Sequence, residues 1–101
     1  MDTIPLGRTG LKVSVMGLGC GGPSRVRQRS GKTKAESIAA VRQALDAGVT
    51  LVDTAEDYQT EEIVGQAIRG LDRDALVLST KKSTWQPITP QDMQQSLEDR
   101  L

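Results

Sequence analysis

Strand patterns and helix patterns alternate along this chain, and the alternation restricts its fold more than any other feature. Three apolar runs predict buried strands at Val13–Gly19, Val49–Asp53 and Ala75–Thr80. A helix pattern follows each run, at some distance in the first case. Such alternation predicts an α/β fold in which parallel strands are joined by right-handed crossovers.

Threonine is predicted to cap all three helices, because its hydroxyl can accept a hydrogen bond from a free amide of the first turn. Glycine is predicted to end the first two helices, because it adopts the left-handed conformation that follows a helix. The first helix is predicted to begin after Thr33, with Glu36 completing a capping box, and to end at about Ala47, directly before Gly48. The second is predicted between Thr60 and Gly70. The third is predicted to begin after Thr89, with Pro90 in its first position.

A hairpin signal precedes the first of these strands: short extended pieces in TIPLGRTGLKVS flank a turn at Arg8-Thr9-Gly10. Three parallel strands alone would leave both sheet edges open and need cover on both faces. The last helix pattern, QDMQQSLEDRL, continues to the final residue without a stop signal. We therefore expect the 101 residues to form one partial domain, 1–101, at the front of a larger α/β protein.

Composition excludes several functional classes. The 13 basic and 13 acidic residues balance, which gives no electrostatic footprint for nucleic acid or an anionic membrane surface. No apolar run approaches the ~20 residues of a bilayer span, and MDTIPLGRTG lacks the regions of a signal peptide. Cys20 is the single cysteine, which suits a reducing compartment. We predict a cytoplasmic protein and no metal site.

A glycine run after the first strand matches the dinucleotide-binding pattern G-x-G-x-x-G at Gly17–Gly22. In that motif the last glycine opens a helix, whose N-terminus meets the pyrophosphate. Here Pro23 and a basic loop come before the helix that follows Thr33. The run therefore predicts a tight strand exit that allows close backbone approach, and not a Rossmann site.

The basic loop carries a second partial motif. Gly31-Lys32-Thr33 resembles the end of a phosphate-binding P-loop, but Val26 stands where its first glycine is required, so we reject the motif. The basic side chains of this loop either form a solvated surface or border a cofactor or substrate entrance. They are Arg25, Arg27, Arg29 and Lys32.

The candidate chemistry lies at the strand ends. Asp53 ends the second strand, Tyr58 lies in the next loop, and Lys81 or Lys82 follows the third strand. Tyr58 is the only tyrosine in a chain without phenylalanine, and it stands among acids rather than in an apolar run. Parallel α/β enzymes place their active sites at the carboxyl ends of the strands, which favours a joint site for these residues.

These three side-chain types suit proton donation to a carbonyl group. A tyrosine has an ordinary pKa near ~10, and a neighbouring ammonium is expected to lower it by stabilising the phenolate. A carboxylate would hold the ammonium in place and keep it charged. Such a set can protonate a carbonyl oxygen while a hydride reaches its carbon. Each residue also has a structural alternative: Asp53 as a cap, Lys81 in solvent, Tyr58 packed under the loop.

Several segments resemble the aldo-keto reductase family, from about Leu6 to the last residue. LGRTGLKVSVMGLGCGG resembles the family's opening hairpin and first barrel strand, and ALDAGVTLVDTAEDY its signature. EEIVGQAIRG and LVLSTKKS resemble the helix and strand that follow. The resemblance implies the N-terminal part of a (β/α)₈ barrel, with a β-hairpin followed by about three βα units.

The resemblance also implies roles. Tyr58 would be the general acid, Lys81 the lysine that tunes it, and Asp53 the partner of Lys81, with Lys82 turned away. The segment Gly19–Gly21 would approach the nicotinamide of NADP(H), with Cys20 as a neighbour of the pocket rather than a nucleophile. Asp53 would also lie beside the cofactor, and the substrate would be a small aldehyde or ketone.

Some features depart from the family pattern. The family's catalytic histidine has no counterpart, because the chain contains no histidine. Gln59 stands where members commonly carry glycine, which leaves substrate preference open. Trp85 would line the substrate cleft or simply pack. Some relatives are non-catalytic subunits, so a binding or regulatory protein of the same fold is the alternative. The sequence does not give the oligomeric state.

Overall fold

A computed structural model describes residues 1–100, in which five short strands and three α-helices form. Three single turns of 3₁₀-helix connect some of these elements. The strands are β1 (Thr3–Pro5), β2 (Lys12–Ser14), β3 (Leu18–Gly19), β4 (Leu51–Asp53) and β5 (Val77–Ser79). The helices are α1 (Lys34–Asp46), α2 (Glu61–Ala67) and α3 (Pro90–Glu98), and the 3₁₀ turns are Gln28–Ser30, Glu56–Tyr58 and Arg73–Ala75.

The first two strands form the predicted hairpin. β1 and β2 pair antiparallel, with Ile4 opposite Val13. The turn between them is closed by the amide of Leu6, which donates to the carbonyl of Leu11 at 2.8 Å. Thr9 adds a hydroxyl bond to the Leu6 carbonyl at 2.6 Å. Because Val13 is buried and Ile4 exposed, only one strand of the hairpin contributes to the core.

The other three strands form a parallel sheet in the order β3-β4-β5, as the alternation predicted. Gly19 pairs with Asp53, and Asp53 pairs with Ser79 on its other side. The carboxyl ends of the three strands therefore lie in one row. We call this row, Gly19, Asp53 and Ser79, the carboxyl edge of the sheet.

The prediction of one continuous strand over Val13–Gly19 is wrong. Hydrogen bonds turn the chain at Ser14: its amide donates to Thr50 Oγ1 at 2.8 Å, and its own Oγ accepts from the Thr50 amide at 2.9 Å. The Ser14 hydroxyl also donates to the carbonyl of Met16 at 2.6 Å. The exposed residues 15–17 consequently separate the hairpin strand from the sheet strand.

Helices α1 and α3 begin as predicted. The Thr33 hydroxyl accepts from the amide of Glu36 at 3.2 Å, and the Thr89 hydroxyl from the amide of Asp92 at 3.1 Å. Gly48 follows the end of α1 with a φ of 105°, the left-handed region that glycine adopts most easily. The prediction that the last helix continues to the final residue is wrong for residues 99 and 100, because α3 ends at Glu98 and these two residues form a turn; residue 101 lies outside the described residues.

Helix α2 differs from its prediction at both ends. Thr60 precedes it but makes no capping bond, because its hydroxyl bonds to Thr54 instead. The helix ends at Ala67, and the chain reaches Gly70 through a turn. Arg42 of α1 donates to the carbonyl of Ala67 at 2.7 Å and to that of Arg69 at 3.1 Å. Since Arg42 satisfies carbonyls at this end, α2 can stop before the glycine.

Two small apolar clusters form the core between the sheet and the helices. Partly buried side chains, including Val26 of the basic loop, pack against both clusters. Their fully buried members are Cys20, Val52 and Val64 in one, and Val41, Ile63 and Ala67 in the other. Among residues 1–100, no helix is long and apolar enough to cross a membrane.

Candidate active site

An ion pair joins two of the predicted residues at the carboxyl edge. Lys81 Nζ lies 2.7 Å and 2.8 Å from the two carboxylate oxygens of Asp53 and 3.1 Å from the carbonyl of Thr54. The register of β4 and β5 brings the pair together, since Asp53 is opposite Ser79 and Lys81 follows two residues later. Both side chains are about half exposed, so their bond fixes geometry more than it stabilises the fold.

The pair keeps both groups charged near neutral pH. Burial, the largest single influence, raises the pKa of Asp53, but hydrogen bonds from Lys81 and Ser79 and the charge of Lys81 together lower it by more. The net pKa of Asp53 lies below its ordinary value. The hydrogen bond to Asp53 raises the pKa of Lys81 above its ordinary value, against the smaller effect of burial.

Tyr58 lies beside this pair on the 3₁₀ turn Glu56–Tyr58. Lys81 Nζ is 5.1 Å from the centroid of the Tyr58 ring. Tyr58 is half-buried, so part of its surface is open to solvent. The structure thus brings Asp53, Tyr58 and Lys81 together. Lys82 turns away, as expected, and bonds to Glu56 at 2.8 Å.

The glycine segment after β3 packs on the tyrosine. A Cβ added at Gly21 would lie 2.8 Å from Cε2 and from Cζ of Tyr58, a separation that carbon atoms do not tolerate. A Cβ at Gly19 would meet no atom within 4 Å. The segment therefore holds Tyr58 closely at Gly21 and leaves open space at Gly19, beside Asp53.

Cys20 lies in the same segment but points into the core. Its side chain is fully buried against Val52 and Val64, and its amide donates to the carbonyl of Asp53 at 2.8 Å. Burial first, and then the charge of Asp53, raise the pKa of the Cys20 thiol to about 11. The expectation that it is no nucleophile agrees with this burial, and any contact with a ligand would come from its backbone.

Comparisons with known proteins agree with this geometry. The model of the "Aldo/keto reductase family" matches residues 16–101. The chain belongs to the aldo-keto reductase family. It is similar to Aldo-keto reductase YhdN of Bacillus subtilis, with 41% identity over 88 residues that cover 80% of this chain and 25% of the relative. The chain therefore spans about a quarter of the length of that curated relative.

Solved aldo-keto reductase structures have the same fold. The chain is similar to the thermostable aldo-keto reductase Tm1743, crystallised with the inhibitor epalrestat, at 32% identity and a TM-score of 0.81. The match covers 100% of this chain and 38% of that one. PA4992 of Pseudomonas aeruginosa, a proposed aldo-keto reductase, gives 30% identity and a TM-score of 0.71, covering 98% and 40%. The fold is that of the first part of a (β/α)₈ barrel, as expected.

Sequence reasoning did not predict that Arg25 contacts Tyr58 at this candidate site. Its guanidinium carbon lies 5.4 Å from the Tyr58 ring centroid, within the range of a cation–π contact. Nε donates to the carbonyl of Gly22 at 3.1 Å, and Nη1 donates to that of Asp57. The basic run indicated a possible border of the site, but only the path of the loop selects this arginine.

That path is unusual, because three successive residues other than glycine are left-handed. Arg25, Val26 and Arg27 have φ values of 49°, 55° and 72°. Each such residue costs about 1–2 kcal/mol, and the conformation needs support from its surroundings. Packing of Val26 on the core and the bonds of Arg25 supply that support.

Glu56 is the second residue that sequence reasoning missed. It begins the turn that carries Tyr58, and its carboxylate accepts from Lys82 Nζ at 2.8 Å and from the amide of Ser83 at 2.7 Å. Arg100, beyond α3, approaches the same carboxylate at 3.2 Å. These contacts connect the turn to the segment after β5. The residues next to Glu56 in the sequence do not predict them.

Trp85 stands at the rim of the site with 85% of its surface exposed. Its indole Nε1 donates to the carboxylate of Asp57 at 2.9 Å, next to Tyr58. Of its two expected roles, burial in a core does not occur here. The other role, at a substrate cleft, stays a prediction.

Proposed function

We propose that the protein is an NADP(H)-dependent oxidoreductase that reduces aldehyde or ketone groups of small molecules. The observation that carries the proposal is the Asp53–Lys81 ion pair held 5.1 Å from the ring of Tyr58 at the carboxyl edge. Membership of the aldo-keto reductase family supports the reaction class. The single, buried cysteine supports a cytoplasmic location.

The residues of the carboxyl edge fit the nicotinamide end of the cofactor. Gly19 is exposed, and the open space at its Cα would admit a flat ring beside Asp53. A side chain at position 21 would displace Tyr58, so the backbone at Gly21 carries no side chain between it and the ring. When bound, NADPH would supply the hydride to the carbonyl carbon of the substrate.

Tyr58 would donate the proton to the carbonyl oxygen as the hydride arrives. The positive charge of Lys81 favours the phenolate that donation leaves behind. Asp53 would hold Lys81 in position through its two short bonds, and Thr54 accepts a third hydrogen bond of the ammonium. This division gives each residue one role: Tyr58 transfers the proton, Lys81 stabilises its loss, and Asp53 orients Lys81.

Steady-state reduction of a panel of aldehydes and ketones by the purified full-length protein, followed by NADPH oxidation, tests the proposal. Tyr58→Phe should abolish turnover while NADPH binding, read from cofactor fluorescence, stays close to wild type. Lys81→Met should also reduce kcat strongly. Lys34→Met is the matched control, because Lys34 forms a similar surface ion pair, with Glu62 at 2.5 Å, and neither partner bonds to Asp53, Tyr58 or Lys81 in the described residues.

Retained turnover in Tyr58→Phe would refute the proposed role of the phenol. Binding of NADPH by the wild-type protein without turnover of any carbonyl would favour the alternative, a non-catalytic binding or regulatory protein of the same fold.

A further inference from the structure

A buried pair of threonine hydroxyls closes the loop that carries Tyr58. Thr54 Oγ1 lies 2.7 Å from Thr60 Oγ1, and the two side chains are 5% and 0% exposed. Thr54 follows β4 directly, and Thr60 directly precedes α2. The bond therefore joins the two ends of a loop whose five residues, 55–59, include the tyrosine. We call this bond the threonine latch.

The latch replaces the bond that Thr60 would be expected to make. A threonine before a helix ordinarily accepts a hydrogen bond from an amide of the first turn. Thr60 makes no such bond, although Thr33 and Thr89 do so at the other two helices. Its hydroxyl instead serves the loop, and complete burial excludes water as a competing partner.

The latch also connects Tyr58 to the lysine beside it. The amide of Thr54 donates to the carbonyl of Ser79 at 2.8 Å, and its carbonyl accepts from Lys81 Nζ at 3.1 Å. Thr54 is thus fixed to the strand that delivers Lys81. Through the latch, the far end of the tyrosine loop is held to the same point.

We propose that Thr60 is a positioning residue, whose hydroxyl sets the distance between Tyr58 and Lys81 by holding the loop ends together. The proposal rests on the proposed function only for its kinetic readout. The physical reason is the length of the contact: the two oxygen atoms share a hydrogen bond at 2.7 Å, whereas a methyl group placed against an oxygen or another methyl group lies at about 3.5–4.0 Å. Without the bond, the loop ends must separate by about 1 Å.

Thr60→Val tests the latch, because valine keeps the shape of threonine and removes the hydroxyl. We expect kcat to fall about 10- to 100-fold, the effect of a displacement near 1 Å, with KM and NADPH binding little changed. Thr60→Ser keeps a hydroxyl and should retain kcat within about threefold. Thr89→Val is the matched control: it removes a capping hydroxyl and lowers Tm, and kcat should not change.

The double variant Thr54→Val/Thr60→Val separates positioning from stability. It removes both hydroxyls of the latch, so that neither is left without its partner, and its Tm should therefore exceed that of Thr60→Val. Its kcat should stay low, because the two methyl groups still hold the loop ends apart. Recovery of wild-type kcat in this variant would overturn the proposal, and so would wild-type kcat in Thr60→Val.

A measurement that does not depend on turnover tests the role of Thr60 separately from the proposed function. Nitration of Tyr58 by tetranitromethane, measured by mass spectrometry of its peptide, reports the surroundings of the phenol, both its exposure and the charge beside it. The rate should change in Thr60→Val and stay at the wild-type value in Thr60→Ser and Thr89→Val. An unchanged rate in Thr60→Val overturns the latch. If the wild-type protein reduces no carbonyl, the proposed function fails, and the nitration rates still decide the role of Thr60.

Discussion

Gly21→Ala should move the ring of Tyr58 with a single methyl group. The new Cβ would lie 2.8 Å from Cε2 and Cζ and 3.0 Å from Cε1 of that ring. Carbon atoms in ordinary contact are about 3.5–4.0 Å apart, so the ring must recede by about 0.7–1.2 Å. Because the contacted atoms belong to the ring itself, the new methyl group cannot be accommodated unless the ring or the backbone of residue 21 moves.

The displacement should act on catalysis more than on folding. A misplacement near 1 Å lowers the rate about 10²-fold, which corresponds to about 2.7 kcal/mol of transition-state stabilisation. The ring would also shift against the ammonium of Lys81 and the guanidinium of Arg25, now 5.1 Å and 5.4 Å from its centroid. We therefore expect kcat of Gly21→Ala to fall about 10²-fold, a smaller loss than that of Tyr58→Phe.

The assay is steady-state carbonyl reduction by the full-length protein, with NADPH affinity and Tm measured on the same samples. Gly65→Ala is the matched control, because a Cβ there meets no atom within 4 Å. In α2 this control should raise stability by about 0.5–1 kcal/mol and leave kcat unchanged. Wild-type kcat and KM in Gly21→Ala would refute the reasoning, since the phenol would then not depend on contact with Gly21.

Three further measurements test other features of the structure. The thiol of Cys20 should not react with a disulfide reagent at neutral pH until the protein unfolds, because burial and the charge of Asp53 raise its pKa to about 11. Rapid reaction of the native protein would contradict its burial. Asp53→Asn should move the alkaline limb of the pH dependence of kcat to lower pH. Lys81 is charged only below its pKa, and the bond to Asp53 is the main cause of its raised pKa. An alkaline limb that does not move would exclude this coupling. Arg27→Gly should raise the free energy of unfolding by about 0.5–1 kcal/mol, since Arg27 is exposed at a φ of 72° and glycine relieves the strain at some cost in unfolded-chain entropy. Equal or lower stability in urea unfolding would argue against strain at Arg27.

The sequence predicted the elements whose signals are local. Thr33 and Gly48 bound α1 as expected, because capping and left-handed glycine depend on a few neighbouring residues. The parallel sheet also followed from the alternation. Once the strands are parallel, Asp53 and Lys81 must meet at one edge, and they do. Their catalytic roles, with that of Tyr58, stay predictions.

Where the sequence reasoning failed, a distant partner competed with a local signal. Thr60 precedes a helix as Thr33 does, but its hydroxyl bonds to the buried hydroxyl of Thr54 and not to an amide of the first turn. The apolar run after Val13 looked continuous, but Ser14 bonds to Thr50, 36 residues away, and turns the chain. Neither partner can be read from the residues nearby.

The sequence by itself determined the order of strands and helices, the family, and the edge of the sheet at which Asp53, Tyr58 and Lys81 gather. Periodicity and capping are short-range effects that act wherever the residues occur, and the alternation of strands and helices then restricts the sheet to a parallel one. Only the tertiary structure decided how Tyr58 is held: Gly21 against its ring, Arg25 beside it, and Thr60 closing its loop. These contacts depend on the paths of loops from different elements, and packing of the whole chain sets those paths.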